Sequence, residues 1–143
     1  IVQKDGDIYR FVPSVAPLKE KYRISDRYGY RTHPISGERQ FHAGLDMAAV
    51  YAATVHAAAS GTVTFAGETP GYGKTVVVTH RFGFQTRYAH LTLIYTRKGA
   101  KVEKGDVIGF VGSTGISTGN HLHYEVIKNQ KRINPLNFIY GTK

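Results

Sequence analysis

Glycine sets the rhythm of this 143-residue chain: sixteen of them break it into short runs rich in Val, Ile, Thr, Tyr and Phe. No stretch sustains the 3.6-residue period of an amphipathic helix. A chain so punctuated folds as strands joined by tight turns. The runs predict strands over 41–47, 55–66, 74–80, 84–91, 107–112 and 121–127. "KTVVVTH" and "FQTRYAHL" read as an antiparallel hairpin across Arg81, Phe82 and Gly83. Residues 1–12 read as a second hairpin turning at Asp5-Gly6, and the proline-bearing stretch after it reads mostly as a connection. The expected fold is mainly β, with one or two antiparallel β-sheets and little helix. A segment of residues 1–21, hairpin and connection, precedes a single domain of residues 22–143.

Within this pattern "STGNHLHYEV" (117–126) places two histidines on one strand. Side chains alternate along a strand, so Leu122, Tyr124 and Val126 share an apolar, core-seeking face. His121, His123 and Glu125 share the other. An H-x-H pair suits a metal with two nitrogen ligands, or with one ligand and one catalytic base, provided further ligands come from elsewhere. In "FHAGLDM", His42 and Asp46 stand four apart. Gly44 and the strand-like surroundings favour an extended segment, with the glycine leaving a slot between two donors. His42, Asp46 and His123 together would make a three-ligand site, leaving a fourth tetrahedral position open for water, as catalytic zinc requires.

Composition narrows the partners. Cysteine is absent, so disulfides and thiolate metal sites are excluded and a metal must be held by His, Asp or Glu. The formal net charge of +9 suits a polyanionic partner: nucleic acid, anionic lipid or an acidic cell-wall polymer. Lys and Arg are dispersed, without a recognition helix or nucleic-acid signature, so no nucleic-acid partner is expected. No apolar run approaches the roughly 18 residues of a membrane span. The chain starts at Ile1 without a basic, apolar leader, and is expected to be a mature form or an excised fragment.

Three motifs stand in order along the chain: "HAGLD" (42–46), "YAHL" (88–91) and "HLHYE" (121–125). With the flanking runs "RYGYRTHPISG", "GYGKTVVVTH", "KGDVIGFVGSTGISTG" and "INPL", the sequence resembles the LytM/lysostaphin-type zinc metallopeptidases over roughly residues 22–138. The resemblance implies a LytM-type peptidase fold and one Zn²⁺ per chain held by His42, Asp46 and His123. It makes His90 and His121 the catalytic pair that does not bind metal, without saying which is the base. The implied activity is zinc-dependent endopeptidase cleavage of peptidoglycan cross-links or stem peptides in the periplasm or cell envelope. "INPL" and the N-terminal segment resemble Gram-negative members, which cut D-alanyl–meso-diaminopimelate bonds. The alternatives are a glycyl-glycine endopeptidase and a catalytically silent scaffold or activator of other wall hydrolases. A carrier module of similar β architecture would leave "HAGLD" and "HLH" without purpose.

Around this centre, Tyr88, Tyr72, Arg31 and Asn120 are expected to line a substrate groove, and Glu125 to orient a ligand or form a salt bridge. His80 and His33 read as structural and His56 as solvent-facing. After Asp46 the run "AAVYAATVHAA" lacks the turn residues usual in the family, so the loop at 49–54 is expected to take its own path beside the groove.

Overall fold

The structure is a computed structural model that describes residues 2–32, 35–117 and 119–139, with His33 outside the described residues. Its body is antiparallel sheet throughout. In chain order the strands are β1 (Arg23–Asp26), β2 (Gly29–Thr32), β3 (Arg39–His42), β4 (Leu45–Ala48), β5 (Thr54–His56) and β6 (Gly61–Thr69). There follow β7 (Gly73–Thr79), β8 (Phe84–Ile94), β9 (Lys101–Val102), β10 (Val107–Val111), β11 (His121–Lys128) and β12 (Lys131–Ile133). A 3₁₀ turn, Pro135–Asn137, closes the described chain, its first turn capped by the Asn134 side chain. β2 and β3 form a separate ribbon, and the main sheet runs β1-β4-β11-β8-β7-β6-β9, with β10 joining β5 to β8 and β12 flanking β11.

The predicted hairpin at β7 and β8 is present, while the strands predicted over 41–47 and 55–66 are each two strands. The first breaks at Ala43-Gly44, so Gly44 is a junction and not one place in a continuous ladder. A Cβ on Gly44 would stand 2.7 Å from the Tyr124 carbonyl, 2.8 Å from His123 Cε1 and 2.9 Å from Glu125 Cγ. The slot expected beside Gly44 is thus filled by β11, which lies closer than any larger residue would permit.

The N-terminal hairpin is not formed. Val2–Phe11 is an α-helix, α1. The Asp5-Gly6 pair signals a turn only locally, whereas the helix is held by a group distant in sequence. Lys104 Nζ donates to the carbonyl of Tyr9, to that of Val12 at 3.1 Å and to Ser14 Oγ at 2.7 Å. Carbonyls at a helix C-terminus lack partners and carry partial negative charge, so an ammonium placed there satisfies both needs. The same ammonium lies 3.6 Å from the Tyr9 ring centroid.

Core and groove lie on opposite faces of the central strands. Leu122, Tyr124 and Val126 of β11, Leu45 and Met47 of β4, and Val76 and Val78 of β7 are fully buried. Each such side chain contributes about 1.5–3 kcal/mol on leaving water. On β8 the core face carries Phe84, Thr86, Tyr88 and then Leu91. The alternation slips by one because Thr75 alone stands across from two residues, Ala89 and His90, between the pairs Val76–Tyr88 and Lys74–Leu91. His90 takes φ = 63°, a left-handed conformation rare for a residue with a side chain. This β-bulge turns His90 away from the face that Tyr88 occupies.

Candidate metal centre and active-site groove

Pairing across β11 assembles the site. His123 stands opposite Asp46 on β4 and opposite Ala89 on β8, and directly opposed residues project to the same face. His121 faces Ala48, so alanines on both flanks leave space above the histidine row. His42, at the end of β3, comes in from the ribbon.

His42, Asp46 and His123 offer ligand atoms that all lie within 4.8 Å of one another. His42 Nε2 is 3.3 Å from Asp46 Oδ2, and His123 Nδ1 is 2.7 Å from Asp46 Oδ1. Ligands about 2.1 Å from a tetrahedral ion stand roughly 3.4 Å apart, so the cluster needs only a small expansion to accept one. The imidazoles are also anchored as ligands are. His42 Nδ1 lies 3.0 Å from the Arg27 carbonyl, which only accepts, so that nitrogen carries the proton and Nε2 faces the cluster. His123 Nε2 lies 2.9 Å from Glu125 Oε2, which leaves Nδ1 for the centre.

Glu125 is completely buried and held by Tyr72 Oη at 2.9 Å and Arg132 Nε at 3.0 Å. Burial opposes its ionisation, yet His123, Tyr72 and Arg132 outweigh that and lower its pKa to about 2. Burial likewise disfavours charge on Asp46 and His123. Their mutual attraction, with His42 on one side and Glu125 on the other, holds Asp46 well below the carboxylate range and raises His123 to about 9. The metal-free cluster is therefore charged and strongly hydrogen-bonded.

His90 and His121 stand beside the cluster with ring centroids 4.8 Å apart. His90 Nδ1 is 2.7 Å from the Thr114 carbonyl, and His121 Nδ1 is 3.0 Å from the Gly119 carbonyl. Carbonyls accept only, so both rings are protonated on Nδ1 and present Nε2 as an acceptor. Burial pushes the His90 pKa down, with His121 and His123 adding to that, so its neutral form prevails at neutral pH.

A groove of about 550 Å³ runs over these residues, walled by Phe41, Pro70, Gly71, Tyr72 and Ile116. Of the four side chains expected to line it, Tyr72 does so. Tyr88 does not: it is fully buried on the core face, where its hydroxyl accepts from Ala58 N at 2.9 Å. Arg31 is exposed on β2 and paired with Asp26, and Asn120 is exposed with its carbonyl toward Ala49 N; neither lies among the lining residues. The 49–54 loop is bonded to β10 through Ala52 and Ala53, away from the groove lining. His56 is buried, with Gly105 O and Thr54 Oγ1 each 2.8 Å from a ring nitrogen, because β5 is covered by the turn before β10. Sequence reading missed Gly119 and Arg27, which act through backbone carbonyls and so leave no trace in residue type, and Thr114, whose carbonyl meets His90 and whose hydroxyl bonds Leu91 O and Lys74 N.

The family model for peptidase family M23 matches residues 40–135, which takes in all three ligand candidates and both further histidines. The chain belongs to peptidase family M23. Among the M23 relatives is the DD-carboxypeptidase/endopeptidase Mpg of Neisseria meningitidis, 48% identical over 84% of this chain and 28% of its own length. The fold superposes on a zinc-containing peptidase from Vibrio cholerae with a TM-score of 0.79 at 32% identity, covering 89% of this chain and 39% of that one. It superposes on the catalytic domain of lysostaphin from Staphylococcus simulans with a TM-score of 0.74 at 30% identity, covering 82% and 91%. The chain thus spans less than a third of the length of Mpg, and matches an M23 catalytic domain alone over most of both lengths.

Proposed function

We propose that this M23 domain is a zinc-dependent endopeptidase of the bacterial cell envelope that hydrolyses peptidoglycan cross-links, the bond being D-alanyl–meso-diaminopimelate. One observation carries the reading. Three ligand candidates share a groove floor with two further histidines whose Nδ1 atoms are tied to carbonyls, which leaves Nε2 to accept a proton, that of His121 lying 4.0 Å from Asp46 Oδ1. A metal-binding or scaffold role needs the first group and has no use for the second.

Zinc would be held by His42 through Nε2, Asp46 through its carboxylate and His123 through Nδ1, and when bound it supplies Lewis-acid activation of water and of the scissile carbonyl. The chain's own residues do the rest. His90 or His121 accepts a proton at Nε2 from the attacking water, and the imidazolium so formed returns it to the leaving amine. The two act as a pair, since the second ring lies within reach of the first. Glu125 keeps the His123 ring turned so that Nδ1 meets Asp46.

The choice of bond follows Mpg, a relative named for DD-carboxypeptidase and endopeptidase activity and 48% identical. A net charge of +9 draws the domain to a carboxylate-bearing wall. The test is digestion of purified diaminopimelate-type peptidoglycan by the zinc-loaded chain, with and without chelator, products resolved by mass spectrometry. Cross-linked dimers should become monomers only without chelator. An untouched dimer fraction alongside cleavage of a pentaglycine peptide would move the substrate to the lysostaphin type. Cleavage of neither would remove the enzymatic reading.

A further inference from the structure

The loop between β10 and β11 is pressed onto the bulge of β8 and the turn before β7. Gly73 permits the contact: a Cβ there would drive into the backbone of Thr114 and Gly115. Gly115 reciprocates, since its Cβ would meet the Gly71 carbonyl at 2.8 Å, and Ile116 N donates to that same carbonyl at 3.0 Å. At the centre of this contact is the Thr114 hydroxyl. It donates to the carbonyl of Leu91, the residue after His90, at 2.6 Å, and accepts from Lys74 N at 3.0 Å. The backbone carbonyl of Thr114 meanwhile accepts from His90 Nδ1 at 2.7 Å.

A register break leaves the backbone around it short of ladder partners; here the Tyr72 carbonyl takes His90 N at 2.8 Å, and the Thr114 side chain serves Leu91 O and Lys74 N. The hydroxyl ties β8, β7 and the loop together at the point where His90 adopts φ = 63°. Its own carbonyl is thereby aimed at the ring. We infer that Thr114 is a positioning residue: its hydroxyl clamps the bulge so that its carbonyl holds the proton of His90 on Nδ1 and leaves Nε2 open to the groove. The inference rests on the proposed catalytic role of His90, but the ring's tautomer can be read without turnover.

Thr114 is half-buried in the loop, so Thr114→Val keeps the branched shape and removes only the hydroxyl, taking that partner from Leu91 O and Lys74 N. The experiment compares the zinc-loaded chain with its Thr114→Val and Thr114→Ser variants by ¹⁵N NMR of the imidazoles, by zinc content, and by kcat and KM on a purified diaminopimelate muropeptide dimer. The expected result is an Nδ1–H tautomer for His90 in the parent and the Ser variant. Thr114→Val should show a mixed or exchanging signal, unchanged zinc, and kcat down about tenfold or more at similar KM, as a misplaced base produces. An Nε2–H tautomer in the parent overturns the inference without any variant. So does a Val variant that keeps the parent's tautomer, or one that loses its zinc. If the parent cleaves no muropeptide, the catalytic reading fails, while the tautomer comparison still decides whether Thr114 sets the ring.

Discussion

β8 carries a histidine-centred network on each of its faces, and the two differ in how many ring nitrogens are closed. On the core side, His80 Nδ1 lies 2.8 Å from the Ser60 carbonyl and Nε2 lies 2.8 Å from Thr86 Oγ1, which lies 2.6 Å from Tyr88 Oη. Both nitrogens are satisfied and nothing is left over. On the groove side, His90 and His121 each have Nδ1 tied to a carbonyl and Nε2 directed to the site. Residue type is the same; the unspent acceptor makes the difference. A buried neutral imidazole with two partners stiffens a core, whereas one with a single anchor is oriented and still available to a proton or a cation.

The largest effect that would break this contrast comes from the groove side. Asp46→Ala and His123→Ala should each lose both the bound zinc and all turnover, measured by metal analysis and muropeptide digestion. Retention of one zinc by either variant would place the metal elsewhere.

Acid tests the other network next. Burial, opposed only partly by the Ser60 carbonyl, lowers the His80 pKa to about 4, against an ordinary value of 6.5. The folded form therefore binds this proton less readily than the unfolded chain does. Its contribution is complete above pH 6.5 and is lost as pH falls toward 4, to the extent of about 3 kcal/mol. Denaturant midpoints of the zinc-loaded parent and a His80→Gln variant, followed over that window, should converge as pH falls. Parallel curves would show that His80 is not the group responsible. Smaller still is Tyr88→Phe, which leaves Ala58 N and Thr86 short of a partner. It should cost about 1–3 kcal/mol of stability in chemical denaturation, with zinc content and kcat unchanged. A fall in kcat at unchanged fold would return Tyr88 to the groove.

How much of this was legible in the sequence depends on how local its cause is. The division of β11 into Leu122, Tyr124 and Val126 on one face and His121, His123 and Glu125 on the other follows from alternation alone and matches the burial seen. Alternation misleads on β8. Tyr88 and His90 are two apart, so alternation puts both on one face, but the bulge at Ala89-His90 separates them, and that bulge depends on what β7 and the 112–117 loop supply across from it. The N-terminal helix is the same lesson at longer range, since Lys104 lies more than ninety residues from the carbonyls it caps. The carbonyls of Arg27 and Gly119 that set the tautomers of His42 and His121 have no residue signature at all.

His90→Ala tests the division between ligand and catalyst most directly. Zinc stoichiometry and muropeptide turnover would be measured on the same zinc-reconstituted preparation, beside the parent. The expected result is about one zinc per chain, as in the parent, with kcat lowered by about 10²–10⁴. Loss of the metal together with activity would make His90 a ligand, and full activity with the metal in place would leave His90 no part in the chemistry.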